Sequence, residues 1–404
     1  MHILLIHQNF ATLDEPGGTR HHELARYLAG QGHRVTVITS RVSYLTGKTG
    51  HVSASSMDEP GEDGVNILHA YTYAALHRSF VHRVLSFLSF TFSSFLKGLT
   101  VQKVDLVWGT SPPIFQGITA WGLSRLKGVS FLFEVRDLWP AFAVDIGVLR
   151  HPLLIRLSEW LESFLYRQAS CLVINSPGFL EHVKARGACR VELVPNGADP
   201  RMFDPQAGGM EFRRKHGLQD EFVALYAGAH GMSNDLEVVL EAARRLSDRP
   251  EIVIVLLGDG KEKPVLIEMA AEMGLTNVHF LPPVPKTEMP AALAAAQACI
   301  AILKPVPLYA TVYPNKVFDY MAAGRPVVLC IDGVIREVIE QAEAGIYASP
   351  GDAVALADAI RCLADDRQMG RAMGLRGRQY VETHFDRAAL AHKLSALLVE
   401  VSRK

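Results

Sequence analysis

The sequence predicts an α/β protein made of two successive Rossmann-like domains, each a doubly wound parallel sheet. Three observations carry this expectation. Short apolar runs alternate with segments of helical periodicity, and the alternation pauses and restarts across residues 200–220. Several of the runs end in glycine-bearing or charged loops, where open parallel sheets bind ligands. The length, 404 residues, suffices for two domains with full hydrophobic cores.

In the first domain, His2–His7 is a nearly continuous apolar run, as a parallel strand buried on both faces requires. The loop QNFATLDEPGG follows and places Gly17 and Gly18 ahead of a helix. Thr19 is positioned to cap that helix, Leu24, Tyr27 and Leu28 to form its buried stripe, and Gly32 to end it before the strand Val35–Thr39. A Gly-Gly loop feeding a helix permits close approach by a ligand, or is simply a tight turn. The spacing is not GxGxxG, which argues against a dinucleotide site. Residues 40–64, rich in Ser and Gly, read as a long loop, and Val65–Ala70 as a strand.

Leu85, Leu88, Phe92, Phe95 and Leu99 then keep helical spacing, widened by Phe87, Phe90 and Leu96 and flanked by Arg78, His82, Arg83, Lys97 and Lys103. The favoured reading is a core helix packed on the sheet. The alternative is a face that lies on a membrane, basic residues toward anionic headgroups. Val104–Trp108 and Val129–Val135 are strands around a helix from Ile114 to Lys127. The second strand ends in EVRDLWP, so Glu134, Arg136 and Asp137 emerge at a strand end and are candidates for substrate contact, or an Arg–Asp pair closing a loop. A helix over 153–169, a strand at Cys171–Asn175, a helix at Pro177–Arg186, a strand at Val191–Val194 and a turn in PNGADP complete the domain.

In the second domain, the strand Phe222–Tyr226 opens into AGAHGMSNDLE, with Ser233 or Asn234 placed to cap a helix over 235–247. Ile252–Leu257 is a strand ending in GDGKEK, whose glycines suit close approach to a phosphate and whose Lys261 and Lys263 add charge. Asn277–Leu281 and Cys299–Leu303 are strands, and 286–297 a helix. The stretch VYPNKVFDYMAAGRPVVL follows. Pro314 starts a helix there, Val317, Tyr320 and Met321 form its apolar stripe, and Gly324 ends it before the strand Val327–Leu329. Asn315, Lys316 and Asp319 cluster in its first turns. A helix start with a Lys suits a diphosphate, and a carboxylate one turn on can accept a ribose diol. A buried helix with a surface Lys–Asp pair is the other reading. Helices follow at 334–342, 353–365, 367–380 and 386–402.

Composition narrows the class. Hydrophobic residues make up 49% and charged residues 21%, ordinary for a globular protein, and the net charge of −1 gives no electrostatic reason for a nucleic-acid partner. The five cysteines are widely spaced without CxxC, and read as reduced thiols of a cytosolic protein. The first apolar run is too short for a secretory leader, and no run is long enough to span a bilayer.

With GGTRHHELARYLAGQGHRVTVITS, EVRDLWP, VPNGAD, YAGAHG, LGDG with a following Lys, and PNKVFDYMAAGRPVV in place, the chain resembles the bacterial family-4 glycosyltransferases of GT-B fold over nearly its whole length. It looks closest to the subgroup assigned to N-acetylfucosamine transfer in surface-polysaccharide synthesis. The resemblance implies two Rossmann-like domains facing a cleft: an acceptor-binding domain over 1–200, a nucleotide-sugar-binding domain over 201–385, and a C-terminal helix, 386–404, packing back toward the first.

It also implies a retaining, metal-independent and cofactor-free transfer of a hexosamine-type sugar from a UDP-sugar. The acceptor would be a lipid-linked polyprenyl-diphosphate glycan at the inner membrane face. Asp319 matches the last acid of the family's Glu–x7–Glu motif, and Lys263 (or Lys261) and Lys316 would neutralise the leaving diphosphate. Gly17, Gly18, His230, Gly231, Gly258, Pro314 and Asn315 would join them at the donor, Arg20, Glu134 and Arg136 would meet the acceptor, and Asp137 stands where many relatives place a catalytic His. Two positions depart from the pattern: Thr311 replaces the motif's first Glu, and AGAHG lacks the usual donor-site Arg, for which His230 is the substitute. A GT-B sugar-nucleotide epimerase and a non-catalytic assembly subunit are the competing readings.

Overall fold

A computed structural model describes residues 1–42, 64–74, 80–205 and 208–403. Most of the loop expected over 40–64, and Arg78, lie outside the described residues. The chain divides into two compact units: Met1–Thr12, Gly17–Pro195 and Ala388–Lys404 form unit 1, and Leu13–Pro16 with Asn196–Arg387 form unit 2.

Among the described residues, unit 1 holds the strands β1 (His2–Ile6), β2 (Arg34–Ser40), β3 (Val65–Ala70), β4 (Leu106–Ser111), β5 (Ser130–Val135), β6 (Cys171–Ile174) and β7 (Val191–Leu193). They pair in parallel in the order β3-β2-β1-β4-β5-β6-β7, with Leu5 registered to Val37 on one side and to Trp108 on the other. Side chains alternate across the sheet. Ile3, Leu5, Trp108 and Leu132 face the helices Arg20–Gly30 and Arg387–Ser402, which bring Leu24, Leu28, Leu394 and Leu398 to one core. On the opposite face, Gly109 meets Ala120 and Phe133 meets Gly117 of the helix Phe115–Lys127, which packs between the helices Phe80–Thr100 and Pro152–Gln168.

Helix Phe80–Thr100 overturns the favoured reading of its apolar stripe as core. Ser86, Phe90, Ser94 and Gly98, one turn apart, are the buried side. A Cβ on Gly98 would lie 2.3 Å from Leu123, so the small residue permits the close approach of helix Phe115–Lys127. Ser94 Oγ and Thr119 Oγ1 meet at 3.3 Å across this interface. Val81, Leu85, Leu88, Phe92, Leu96 and Leu99 face outward instead.

Unit 2 holds β8 (Phe222–Ala227), β9 (Ile252–Leu257), β10 (Val278–Leu281), β11 (Ala298–Ile302), β12 (Val327–Cys330) and β13 (Gly345–Tyr347), all parallel, in the order β10-β9-β8-β11-β12-β13. The sequence reading did not include β13, which is three residues long and too short to show a period. Two expected caps differ. Thr19 precedes its helix, but its hydroxyl donates to Glu23 Oε1 at 2.6 Å rather than accepting a backbone N–H. Ser233 and Asn234 lie in a 3-10 turn, and Asp235, at φ 49°, leads into the helix Leu236–Arg245. No helix among the described residues is long and apolar enough to cross a membrane.

Candidate active site

Strand order reverses between β1 and β4 in unit 1, and between β8 and β11 in unit 2. Crevices form at the carboxyl ends of strands at such points, and each unit gathers its charged side chains there.

In unit 1, Glu134 at the end of β5 is fully buried. Its Oε1 accepts from Arg20 Nε at 3.0 Å and its Oε2 from His21 Nε2 at 2.6 Å. Arg20 also donates to the carbonyls of Pro195 and Val194, at 2.8 and 2.7 Å. Burial alone would raise the Glu134 carboxyl, but His21 and Arg20 outweigh it and hold it below the usual carboxylate range. Burial takes the His21 imidazole down to about 4, with Glu134 opposing. Arg136 Nη2 donates to His7 Nε2 at 3.1 Å and Arg136 Nε to the Ser111 carbonyl at 2.9 Å. The His7 ring lies 4.3 Å from that of His21. Burial, then His21 and Arg136, keep His7 neutral.

The expectation that Glu134 contacts an acceptor is therefore corrected: its two oxygens are taken by Arg20 and His21, so it is an internal brace. Arg20, also buried, shares that position. Arg136 and Asp137 are the members nearer solvent. Water reaches the Asp137 side chain, yet protein crowds its carboxyl; this desolvation raises the pKa, against the pull of Arg136. Gly17 and Gly18 are exposed, and no atom lies within 4 Å of a Cβ built on Gly18.

In unit 2, the loops after β8 and β9 and the helix Asn315–Ala322 converge. Gly258, at φ 152°, has no room for a side chain: a Cβ there would stand 1.9 Å from the Gly228 carbonyl oxygen. Lys316 Nζ lies 2.8 Å from Tyr226 Oη and 4.0 Å from the centre of its ring. Lys316 is half-buried, but its ammonium sits among Tyr226, Gly228 and Asn234, and this desolvation lowers its pKa to about 7. Lys263 Nζ donates to the carbonyls of Gly258 and Leu281, at 2.7 and 2.8 Å. His230 is fully buried and, among the described residues, has no hydrogen-bond partner at either ring nitrogen. Burial, then Lys263 and Lys316, push it down to about 4. Among the described residues, no carboxylate forms an ion pair with Lys263 or Lys316; the Asp259 carboxylate acts on Lys263 and His230 only at longer range. Gly231 is half-buried beside them, whereas Lys261 is exposed outside the cluster.

Pro314 precedes the first turn of the helix, as expected. Asp319, one turn in, is buried and accepts from Lys286 Nζ at 2.5 Å and from Asn315 Nδ2 at 3.3 Å. Arg387 donates to Asn315 Oδ1 at 3.0 Å and to the Gly197 carbonyl. The sequence reading had no place for Lys286, Arg387, His7, His21 or Tyr226. Only the adjacent pair His21–His22 opening a helix was a local signal. Among the described residues, no group of three or more His, Cys, Asp or Glu is arranged to hold a metal ion.

Residues 17–197 match the family described as glycosyl transferase 4-like domain, and residues 221–366 that described as glycosyl transferases group 1. WcaI of Escherichia coli strain K12, named for a role as a colanic acid biosynthesis glycosyl transferase, is 25% identical over 317 residues, 76% of this chain and 77% of its own. The fold is that of the sucrose-phosphate synthase from Thermosynechococcus elongatus (TM-score 0.78, 19% identity, 99% and 98% of the two chains). It is also that of Anabaena HepE, solved with UDP-glucose (TM-score 0.74, 16% identity, 99% and 100% of the chains). With a 4-like domain in unit 1, a group 1 domain in unit 2 and two parallel Rossmann-like sheets, the chain is a glycosyltransferase of the GT-B, family-4 type.

Proposed function

We propose that this enzyme moves a hexosamine-type sugar from a UDP-sugar, with retention and without a metal, to a polyprenyl-diphosphate-linked glycan in surface-polysaccharide assembly. The observation that carries the donor half is the cationic pocket of unit 2. Lys316 and Lys263, beside the His230 ring, present positive charge and hydrogen-bond capacity that no carboxylate closes in a direct ion pair, Asp259 acting only at longer range. A nucleoside diphosphate supplies the missing negative charge. As the glycosidic bond breaks, charge builds on the leaving diphosphate, and fixed ammonium groups stabilise it more in the transition state than in the ground state. Asp319, held by Lys286 and Asn315, is the ribose acceptor at the helix start. Gly231, Gly258 and the N–H groups beyond Pro314 line the same pocket, with Lys261 at its rim.

Support for a UDP-sugar donor comes from the HepE complex with UDP-glucose, and for polysaccharide synthesis from the role for which WcaI is named. In unit 1, Asp137 is the group that receives the acceptor hydroxyl's proton, since its raised pKa suits proton transfer near neutrality. Arg136 orients the acceptor, and the exposed Gly17–Gly18 loop leaves space for a ligand. The test is calorimetric titration with UDP, GDP and ADP in excess EDTA, followed by incubation of UDP-N-acetylhexosamines with a polyprenyl-diphosphate sugar. Selective UDP binding that survives EDTA and formation of a longer glycolipid support the proposal. Binding of none of the three nucleotides, or donor conversion without acceptor, would sink it.

A further inference from the structure

We infer that Arg387 is a positioning residue for the nucleotide site: it fixes Asn315 and, through it, Asp319, and so ties nucleotide occupancy to the chain segments at the two ends of unit 2. The inference rests on the donor reading of Asp319 given above. Three observations carry it. First, the side chains form one line. Arg387, 4% exposed, donates from Nη2 to Asn315 Oδ1 at 3.0 Å, and Asn315 Nδ2 donates to Asp319 Oδ2 at 3.3 Å. A guanidinium only donates and a carboxylate only accepts, so both neighbours demand the same orientation of the Asn315 amide. Asn at a helix start ordinarily bonds back to nearby backbone. Here its amide spans a cation and an anion.

Second, Arg387 is itself held by a chain end. The same Nη2 donates to the Gly197 carbonyl. Its two hydrogens lie in the rigid guanidinium plane, so that carbonyl and the Asn315 amide are fixed relative to one another. The Arg387 N–H donates to the Ala198 carbonyl at 2.8 Å and the Ala198 N–H to the Phe385 carbonyl at 3.1 Å, which makes a parallel bridge between Ala198 and Asp386. The long segment of unit 2 runs from Asn196 to Arg387, so the bridge laces its two ends together. Third, a second tie leaves the same bridge. Asn196, also buried, donates from Nδ2 to the Tyr313 carbonyl at 2.7 Å, on the other side of Pro314. The start of the helix Asn315–Ala322 is thus held from both flanks by residues of the two chain ends.

The chemistry of the site explains the need. A carboxylate that accepts a ribose diol must be placed to within about 0.5 Å. Lys286 holds Asp319 Oδ2 from the loop after β10, Asn315 holds it from the helix, and Arg387 sets Asn315. Coupling between two sites is reciprocal. If the bridge sets Asp319, a nucleotide on Asp319 also steadies the bridge.

The test is a double-mutant cycle on UDP affinity, measured by calorimetry, with Arg387→Met, which keeps a buried stem of similar length, Asn315→Ala, and both together. Each single variant should bind UDP roughly tenfold more weakly, and the double variant no more weakly than Asn315→Ala alone. Losses that multiply would place Arg387 outside the line to Asn315 and overturn the inference. Hydrogen exchange over 196–198 and 385–387 needs only the parent and Asn315→Ala, and decides alone if Arg387→Met does not fold. Saturating UDP should slow exchange there about fivefold or more in the parent, and not in Asn315→Ala. No slowing in the parent, or equal slowing in both, overturns the inference. The parent's own UDP affinity separates the two readings. A parent that binds no UDP sinks the donor reading and this inference with it, whereas UDP binding with multiplying losses or unchanged exchange sinks this inference alone.

Discussion

The two charged clusters obey opposite rules. In unit 1, the Glu134 carboxylate is closed on both sides by Arg20 and His21, and Arg20 spends its remaining donors on carbonyls. In unit 2, Lys316 and Lys263 are held by a phenol and by backbone carbonyls, and no hydrogen bond from the described residues reaches the His230 ring. Buried charge that is fully paired is architecture; charge held in place but left uncompensated is capacity for a ligand. Depressed pKa values occur in both clusters, so a shifted pKa alone does not tell site from scaffold. The distinguishing fact is whether the charge is already closed in a direct ion pair.

The largest expected effect breaks the architectural side. Glu134→Ala leaves Arg20 and His21 buried without their acceptor and should cost about 3–5 kcal/mol of stability, read by denaturant unfolding. An unchanged midpoint would make the unit 1 cluster dispensable. On the other side, Lys316→Ala should lower turnover by about 10²–10³-fold, with a far smaller loss of stability. Steady-state kinetics and unfolding measured on the same variant separate the two; equal damage to both would erase the contrast.

Acid should act on the clusters differently. His21 folds with a pKa near 4 against 6.5 unfolded, so its contribution to stability is full above 6.5 and declines as the pH falls from there toward 4. Glu134, also depressed, loses its contribution at lower pH still, in the same direction. Unfolding midpoints should therefore drop between pH 6.5 and 4. For Lys316 the sign concerns ligand binding. Its ammonium is half neutral near pH 7, and a bound diphosphate favours the charged form, so UDP binding just above pH 7 should take up a proton. Calorimetry in buffers of differing ionisation enthalpy measures that proton, and none taken up would mean Lys316 does not meet the diphosphate. The smallest effect is expected for Lys261→Ala, within about 0.5 kcal/mol in UDP affinity, because its side chain stands outside the cluster.

Much of this was legible from residues alone. The strands buried on both faces leave unbroken apolar runs such as Ile252–Leu257, and the helix after Pro314 carries its own start, stripe and stop. The glycine and lysine positions at strand ends were legible too, since a backbone that must approach another backbone excludes side chains. Pairings across long separations were not. Lys286 meets Asp319 from 33 residues away, and Arg136 meets His7 from 129, with no local pattern announcing either. Helix Phe80–Thr100 failed for another reason. Periodicity reports that a face is apolar, not which side of the helix the protein occupies. The better guide was the line Ser86, Ser94 and Gly98, whose small size lets a neighbouring helix come close.

One feature of the chain's path bears on its synthesis. Unit 2 is essentially complete once Arg387 has been made, but the unit 1 core still lacks the wall formed by Leu390, Leu394, Leu398 and Val401. The strand His2–Ile6, made first, must wait for nearly the whole polypeptide before its sheet face is covered. Chains that stop short of residue 388 therefore leave an open apolar sheet face in unit 1, the substrate that chaperones and proteases recognise.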